Sequence, residues 1–212
     1  MIKLAIIGSN DLGMQIAYHA KDSGIYDPIG FFDDYQPKGS ERNGLPILGS
    51  TNDVLNTFKV GVFEMLMIGI GYKHLQARSL MFTKFKGKIP FASLIHRSCY
   101  VDKSCSMGEG IFIYPGCKLD MNVVIEDNVL LNIGCVIAHD SVVGEGSFFG
   151  PAVSIAGFVT IEKSVNLGIG TVVIDNIRIS TGVRTGGGAV VIDNLEQAGL
   201  YVGVPARLRI NQ

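Results

Sequence analysis

From residue 95 onward the chain carries an apolar side chain at every sixth position: Ile95, Val101, Met107, Ile113, Leu119 and onward through Ile179 to Val191. Thr185 is the one break in the series, and no residue is inserted or lost along it. Hydrophobic residues make up 47% of the chain, so a run of this length is not an accident of composition. A six-residue period fits neither a helix nor a two-faced strand. It is the pattern of a parallel β-helix, in which each hexapeptide supplies one short strand and one corner. Three hexapeptides close a triangular coil, so residues eighteen apart (three times six) stack, with neighbouring coils ~4.8 Å apart. The residue after the apolar position is often Gly or an acid, as at Gly108, Glu126, Gly144, Gly150, Gly168 and Gly186. That preference places the chain's turn at this slot. The fourth residue after each apolar position is small or apolar (Cys99, Cys117, Val123, Cys135, Val153), which predicts a second inward column.

The first ninety residues follow another pattern. Lys3 to Ile7 reads as a buried strand, followed by Gly8-Ser9-Asn10-Asp11-Leu12-Gly13 and a helix from Asp11 to Ser23 that Gly24 closes. Pro28 to Phe32 predicts a second strand ending in Asp33-Asp34. Glu64 to Ile68 predicts a third, ending in Gly69-Ile70-Gly71 before a helix that reaches Phe85. Strands alternating with helices predict a small parallel α/β sheet. Ligands sit beyond the carboxyl ends of such strands, which is where Gly8, Ser9, Asn10, Asp33, Asp34 and Gly69 fall. The loop is Gly-x-x-x-x-Gly, not the tighter dinucleotide fingerprint. It either approaches a phosphate or sugar with backbone N–H groups or makes a plain strand-to-helix turn. Asp33 either accepts from ribose hydroxyls or is a turn acid. The pattern thus divides the chain into 1–92 and 93–212.

Composition narrows the function. A formal net charge of −1 offers no basic field for nucleic acid or an anionic membrane. No apolar run reaches the ~20 residues of a membrane span. The short apolar start, Met1 to Gly8, does not read as a secretory signal, so a cytoplasmic location is expected. The four cysteines share one repeat phase without any Cys-x-x-Cys pair, which predicts reduced core thiols and no metal site. Flat outer faces on a short triangular prism predict side-by-side association with three-fold closure.

The Gly-rich opening, Gly30-Phe-Phe-Asp-Asp34, Ile68-Gly-Ile-Gly71, Leu94-Ile-His96, Ile137-Ala-His-Asp140 and Tyr201-Val-Gly-Val-Pro-Ala206 occur in that order. In this the chain resembles the bacterial nucleotide-sugar N-acetyltransferases of the sialic acid O-acetyltransferase family, and the resemblance covers nearly the whole chain. It implies a Rossmann-like front domain that binds the sugar nucleotide. It also implies a left-handed β-helix that binds acetyl-CoA as co-substrate, and a homotrimer with active sites between protomers. By resemblance His139 is the general base, Asp140 orients its imidazole and Asn132 lies near the reacting groups. Gly157 and Gly187 offer backbone amides to the thioester or pantetheine arm, and Pro205 and Arg207 belong to the coenzyme end. The stacking arithmetic independently puts Gly157 on the coil next to His139, leaving room beside the imidazole and a bare backbone N–H. A base and an oxyanion donor are what acyl transfer needs.

The chain departs from the family at Asp11 and Leu12, where relatives commonly carry Gly and His, and at Phe148, where some carry a second histidine. These departures point to a different nucleotide or sugar in the front pocket. The expected activity is N-acetylation of a nucleotide-linked amino sugar, of the 4-amino-4,6-dideoxyhexose type, for surface glycan synthesis. A sugar O-acetyltransferase and a non-catalytic scaffold are the competing readings. A nicotinamide-dependent reductase lacks both the glycine spacing and a second catalytic domain.

Overall fold

The structure is a computed structural model that describes residues 1–209; the last three residues of the predicted second domain lie outside the described residues. The chain divides into two units, Met1–Leu94 and a second that begins at Ile95.

In the first unit, strands β1 (Ile2–Ile7), β2 (Tyr26–Phe32), β4 (Leu45–Gly49) and β5 (Met65–Ile68) run parallel and, with the edge strand β3 (Glu41–Arg42), stand in the sheet order β3-β4-β2-β1-β5. The short strand β3 is antiparallel to β4. Helix α1 spans Asp11–Asp22, α2 Val54–Lys59 and α3 Leu75–Phe85. Leu4, Ala5, Ile6 and Ile7 are all buried, the continuous apolar run expected of a parallel strand covered on both faces. Ser23 caps α1, and Gly24 follows in the left-handed region at φ 70°. β3, β4 and α2 were not anticipated, although the hairpin signal is present. Asn43-Gly44 joins Arg42 to its partner Leu45, and both loop residues have positive φ, as a two-residue hairpin turn of this type requires.

The second unit is a stack of triangular coils. Strands pair in parallel at an offset of one coil, Leu119 with Ile137 and Ile137 with Ile155. Three sheets result. One runs from Tyr100–Val101 to Val190–Val191, and the next from Ser106–Met107 to Arg178–Ile179. The third includes Phe112–Ile113 and ends with the antiparallel pair Gly199–Val202 and Arg207–Leu208. The sixth-position side chains fill the interior: Ile113, Leu119, Ile125, Leu131, Val143, Phe149 and Leu167 are 0–1% exposed. Thr185, the break in the series, is satisfied. Its hydroxyl pairs with that of Thr171 at 2.7 Å and accepts from Gly168 N–H at 2.9 Å.

The turn does not lie where the sequence placed it. From Gly110 to Gly188 the left-handed residue falls three positions after each apolar one, among them Gly116, Asn122, Gly134, Asp140 and Asn176. The glycines directly after the apolar position have a different cause. A Cβ on Gly144 would stand 2.5 Å from the Glu162 carbonyl carbon, and one on Gly150 2.7 Å from Ile169 N. Those glycines let successive coils stack. The four thiols are free, and each donates to a carbonyl fifteen residues on: Cys99 to Tyr114, Cys105 to Asp120, Cys117 to Asn132 and Cys135 to Gly150. Contact with Cys135 pushes the Cys117 thiol up to about 12, so it stays protonated at neutral pH.

Candidate active site

The edge that follows the first sheet carries residues 121, 139, 157 and 175 in one column and 122, 140, 158 and 176 in the next. His139 and Asp140 are sequence neighbours, and in a strand their side chains would diverge. The structure resolves this at the corner: Asp140 sits at φ 56°, which turns its carboxylate back to the imidazole. His139 Nδ1 lies 3.0 Å from Asp140 Oδ2. A carboxylate can only accept, so Nδ1 is the donor and Nε2 of the neutral ring carries the lone pair. Asn122, one coil earlier, donates its amide to Asp140 Oδ1 at 3.0 Å. That bond, then the contact with His139, holds the Asp140 carboxyl below its usual range. Subtracting one coil from Asp140 finds Asn122 in the sequence, a step the sequence reading did not take.

Gly157 is buried under the imidazole. A Cβ there would stand 2.7 Å from His139 Cε1 and 2.9 Å from Nε2. On some other turns the N–H at this slot is claimed by a side chain, as where Met121 N donates to Asp120 and Ile133 N to Asn132. Ala156 precedes Gly157 and has no side-chain oxygen to offer, and among the described residues no hydrogen bond takes the Gly157 N–H. Phe158 completes the corner, its ring 5.1 Å from that of His139 at 87°. It is more than half exposed.

Other predicted residues lie elsewhere. Asn132 caps its own turn through Ile133 N at 2.8 Å, on the edge before the first sheet. Gly187 falls on that same edge, across a full face of the prism from Gly157. Of the Gly186–Gly188 run only Gly188 has positive φ, 69°. Pro205 is exposed in the loop between the last two strands. Arg207 Nη1 donates to Asp193 Oδ2 at 3.1 Å, an exposed pair of small net strength.

In the first unit, Gly8, Gly13 and Gly69 pack together. A Cβ on Gly8 would meet Gly69 O at 3.0 Å, and one on Gly69 would meet Gly13 Cα at 2.7 Å. Gly13 therefore serves helix–strand packing at the strand ends. Ser9 donates to Asp33 Oδ2 through its N–H at 2.9 Å and its hydroxyl at 2.6 Å, and Tyr35 N donates to Oδ1 at 2.9 Å. Burial pushes the Asp33 carboxyl up, but these bonds outweigh it and hold it below the usual range. At 7% exposure Asp33 is chiefly a brace for the glycine loop. Asp34 binds Thr51 through both oxygens. Asn10, at the start of α1, remains exposed. Arg78 is buried and donates to Ile68 O at 2.9 Å, holding the turn after β5. Its burial carries no signal in the sequence.

Among the described residues no group of three or more His, Cys, Asp or Glu is placed to hold a metal ion, and no helix is long and apolar enough to cross a membrane.

Hexapeptide coils following an α/β domain of this kind are the architecture of the hexapeptide-repeat acyltransferases, which the chain resembles. More narrowly, residues 3–85 match the family of the PglD N-terminal domain. Among solved structures the chain is similar to PerB of Caulobacter crescentus, solved with CoA and GDP-perosamine. Identity is 25%, covering 98% of this chain and 97% of that one, with a TM-score of 0.86. It is also similar to the acetyltransferase domain of PglB from Neisseria gonorrhoeae in complex with acetyl coenzyme A, at 25% identity over 98% of each chain and a TM-score of 0.88. A GDP-perosamine N-acetyltransferase of C. crescentus with a histidine replaced by alanine matches at 25% identity over 99% of this chain and 97% of that one, with a TM-score of 0.88. The coil is the left-handed β-helix of these structures. A search of curated proteins finds no match.

Proposed function

We propose that the chain transfers the acetyl group of acetyl-CoA to the amine of a nucleotide-linked amino sugar. One observation carries this reading: the imidazole of His139, braced by Asp140 and Asn122, lies directly over the buried Gly157, whose N–H is unclaimed. His139 Nε2 takes a proton from the amine as its nitrogen attacks the thioester carbonyl. The oxygen gains negative charge and accepts from Gly157 N–H. The intermediate then collapses, the C–S bond breaks, and the imidazolium returns its proton to the departing CoA sulfur. General-base help of this kind is worth about 10²–10⁴ in rate, and one oxyanion donor about 10²–10³. The C. crescentus enzyme, crystallised with CoA, GDP-perosamine and a histidine replaced, supports the assignment.

The working unit is a homotrimer with active sites between protomers. The outer face of the first sheet is apolar and open: Val136, Val172, Ile174 and Ile192 are 39–42% exposed, with Ile133 and Ile169 beside them. That face separates Gly157 from Asn132 and Gly187. A neighbouring protomer packed on it would bring the His139–Gly157 edge of one chain to the Asn132–Gly187 edge of another. Arg207, released from Asp193, then serves a CoA phosphate near Pro205. Asn10 presents its backbone N–H to the nucleotide, with Gly8 and Gly69 keeping the strand ends free of side chains and Ser9, Asp33 and Asp34 shaping the loop. Both substrates place the reaction in the cytoplasm.

The test is a panel of nucleotide-linked amino sugars with acetyl-CoA, following release of the CoA thiol and the mass of the sugar product. An N-acetylated product from at least one amine, with no release on the matching hydroxyl sugars, is expected. Release only with hydroxyl acceptors would move the reading to O-acetylation, and acetyl-CoA binding without turnover on any sugar would contradict it.

A further inference from the structure

The column of left-handed residues at the His139 edge reads Asn122, Asp140, Phe158, Asn176. Asn and Asp tolerate this backbone region, whereas a bulky side chain there is a genuine outlier. Phe158 holds φ 59° and is the only aromatic among the described left-handed residues. Its ring is not stored in the core: it is 56% exposed and lies edge-on to His139 at 5.1 Å. Strain of this kind persists where the surrounding structure enforces it, and it gathers at functional sites.

We propose that Phe158 is a specificity-determining residue, the apolar wall of the acceptor pocket. It would select an amino sugar whose carbon beside the amine-bearing carbon carries a methyl group in place of a hydroxymethyl. This deepens the proposed function and rests on His139 as the base. A reacting amine must come within about 2.6–3.2 Å of the base. With the Phe158 ring at van der Waals range of the imidazole, the substituent next to the amine packs against that ring. A hydroxyl placed there loses its water and finds no hydrogen-bond partner on the ring, whereas a methyl gains from the burial. The discrimination available from such a contact is about tenfold to two-hundredfold.

The experiment compares two 4-amino sugars on the same nucleoside diphosphate, one with a methyl and one with a hydroxymethyl at C5. It measures kcat/KM for the wild type, Phe158→Asn, Phe158→Leu and His139→Ala, with melting temperature and sedimentation for each. Wild type should favour the methyl sugar by about tenfold or more. Phe158→Asn, the residue type found one coil later at Asn176, should lose most of that preference through the methyl arm. It should melt no lower than wild type and sediment unchanged. Phe158→Leu should keep most of the preference. No preference in the wild type, an unchanged ratio in Phe158→Asn, or equal ratios in Asn and Leu variants would overturn the proposal. So would altered sedimentation with the ratio kept, which would make Phe158 an interface residue. Loss of turnover in His139→Ala alongside an unchanged Phe158→Asn ratio refutes the wall alone. Full turnover in His139→Ala, or none in the wild type on either sugar, refutes the reading beneath it.

Discussion

His139→Ala should fold and bind acetyl-CoA as wild type does, and turn over about 10²–10⁴ times more slowly. That loss corresponds to about 3–5 kcal/mol of barrier. Stability should change little, because the imidazole is 42% exposed and its hydrogen bond is to a corner carboxylate that is itself 35% exposed. The loss should appear in kcat, with KM for acetyl-CoA close to wild type, since the base acts in the transition state. Steady-state kinetics with a thermal melt on the same preparation checks both halves. A variant retaining a third or more of wild-type kcat would remove His139 as the base.

Gly157→Ala adds one carbon and should cost about a hundredfold in kcat, the loss that follows when a reacting group is displaced by an ångström. The new Cβ would stand 2.7 Å from Cε1 and 2.9 Å from Nε2, closer than real Cβ atoms come to such neighbours. The backbone cannot yield, because Gly157 O accepts from Asn176 and the flanking Ala156 N and Phe158 N are bonded to Val173 and His139 carbonyls. The imidazole must swing, which breaks its 3.0 Å contact with Asp140. Because the two changes strike one unit, Gly157→Ala combined with His139→Ala should be no slower than His139→Ala alone. Additive losses would show that the two residues act in separate places.

The sequence carried much of this site because eighteen-residue stacking is arithmetic. His139 led to Gly157 directly, and the same subtraction leads from Asp140 to Asn122. The phase of the turn was misplaced because two pressures favour glycine at different slots. Gly144 and Gly150 clear a path for the next coil, while Gly134 and Gly146 adopt positive φ, and composition alone does not separate them. Strands β1, β2 and β5 were legible as continuous apolar runs. β4 was not, because Leu45-Pro-Ile-Leu-Gly49 neither alternates nor runs long, although Asn43-Gly44 marked the hairpin before it. Asp33 was placed at the correct strand end, but its bonds to Ser9 and Tyr35 depend on how the loop folds back. Phe158 was invisible, because no rule of sequence puts a phenylalanine in a left-handed corner.

A crystal structure with acetyl-CoA, or a non-hydrolysable analogue, bound to the wild-type protein tests the central claim most directly. In that structure the protein should be a trimer with the acetyl carbonyl oxygen about 3 Å from Gly157 N. His139 Nε2 should face the thioester, and the pantetheine arm should run along a neighbouring protomer's Gly187. A thioester lodged at any other edge of the prism, or within a single protomer, would contradict it.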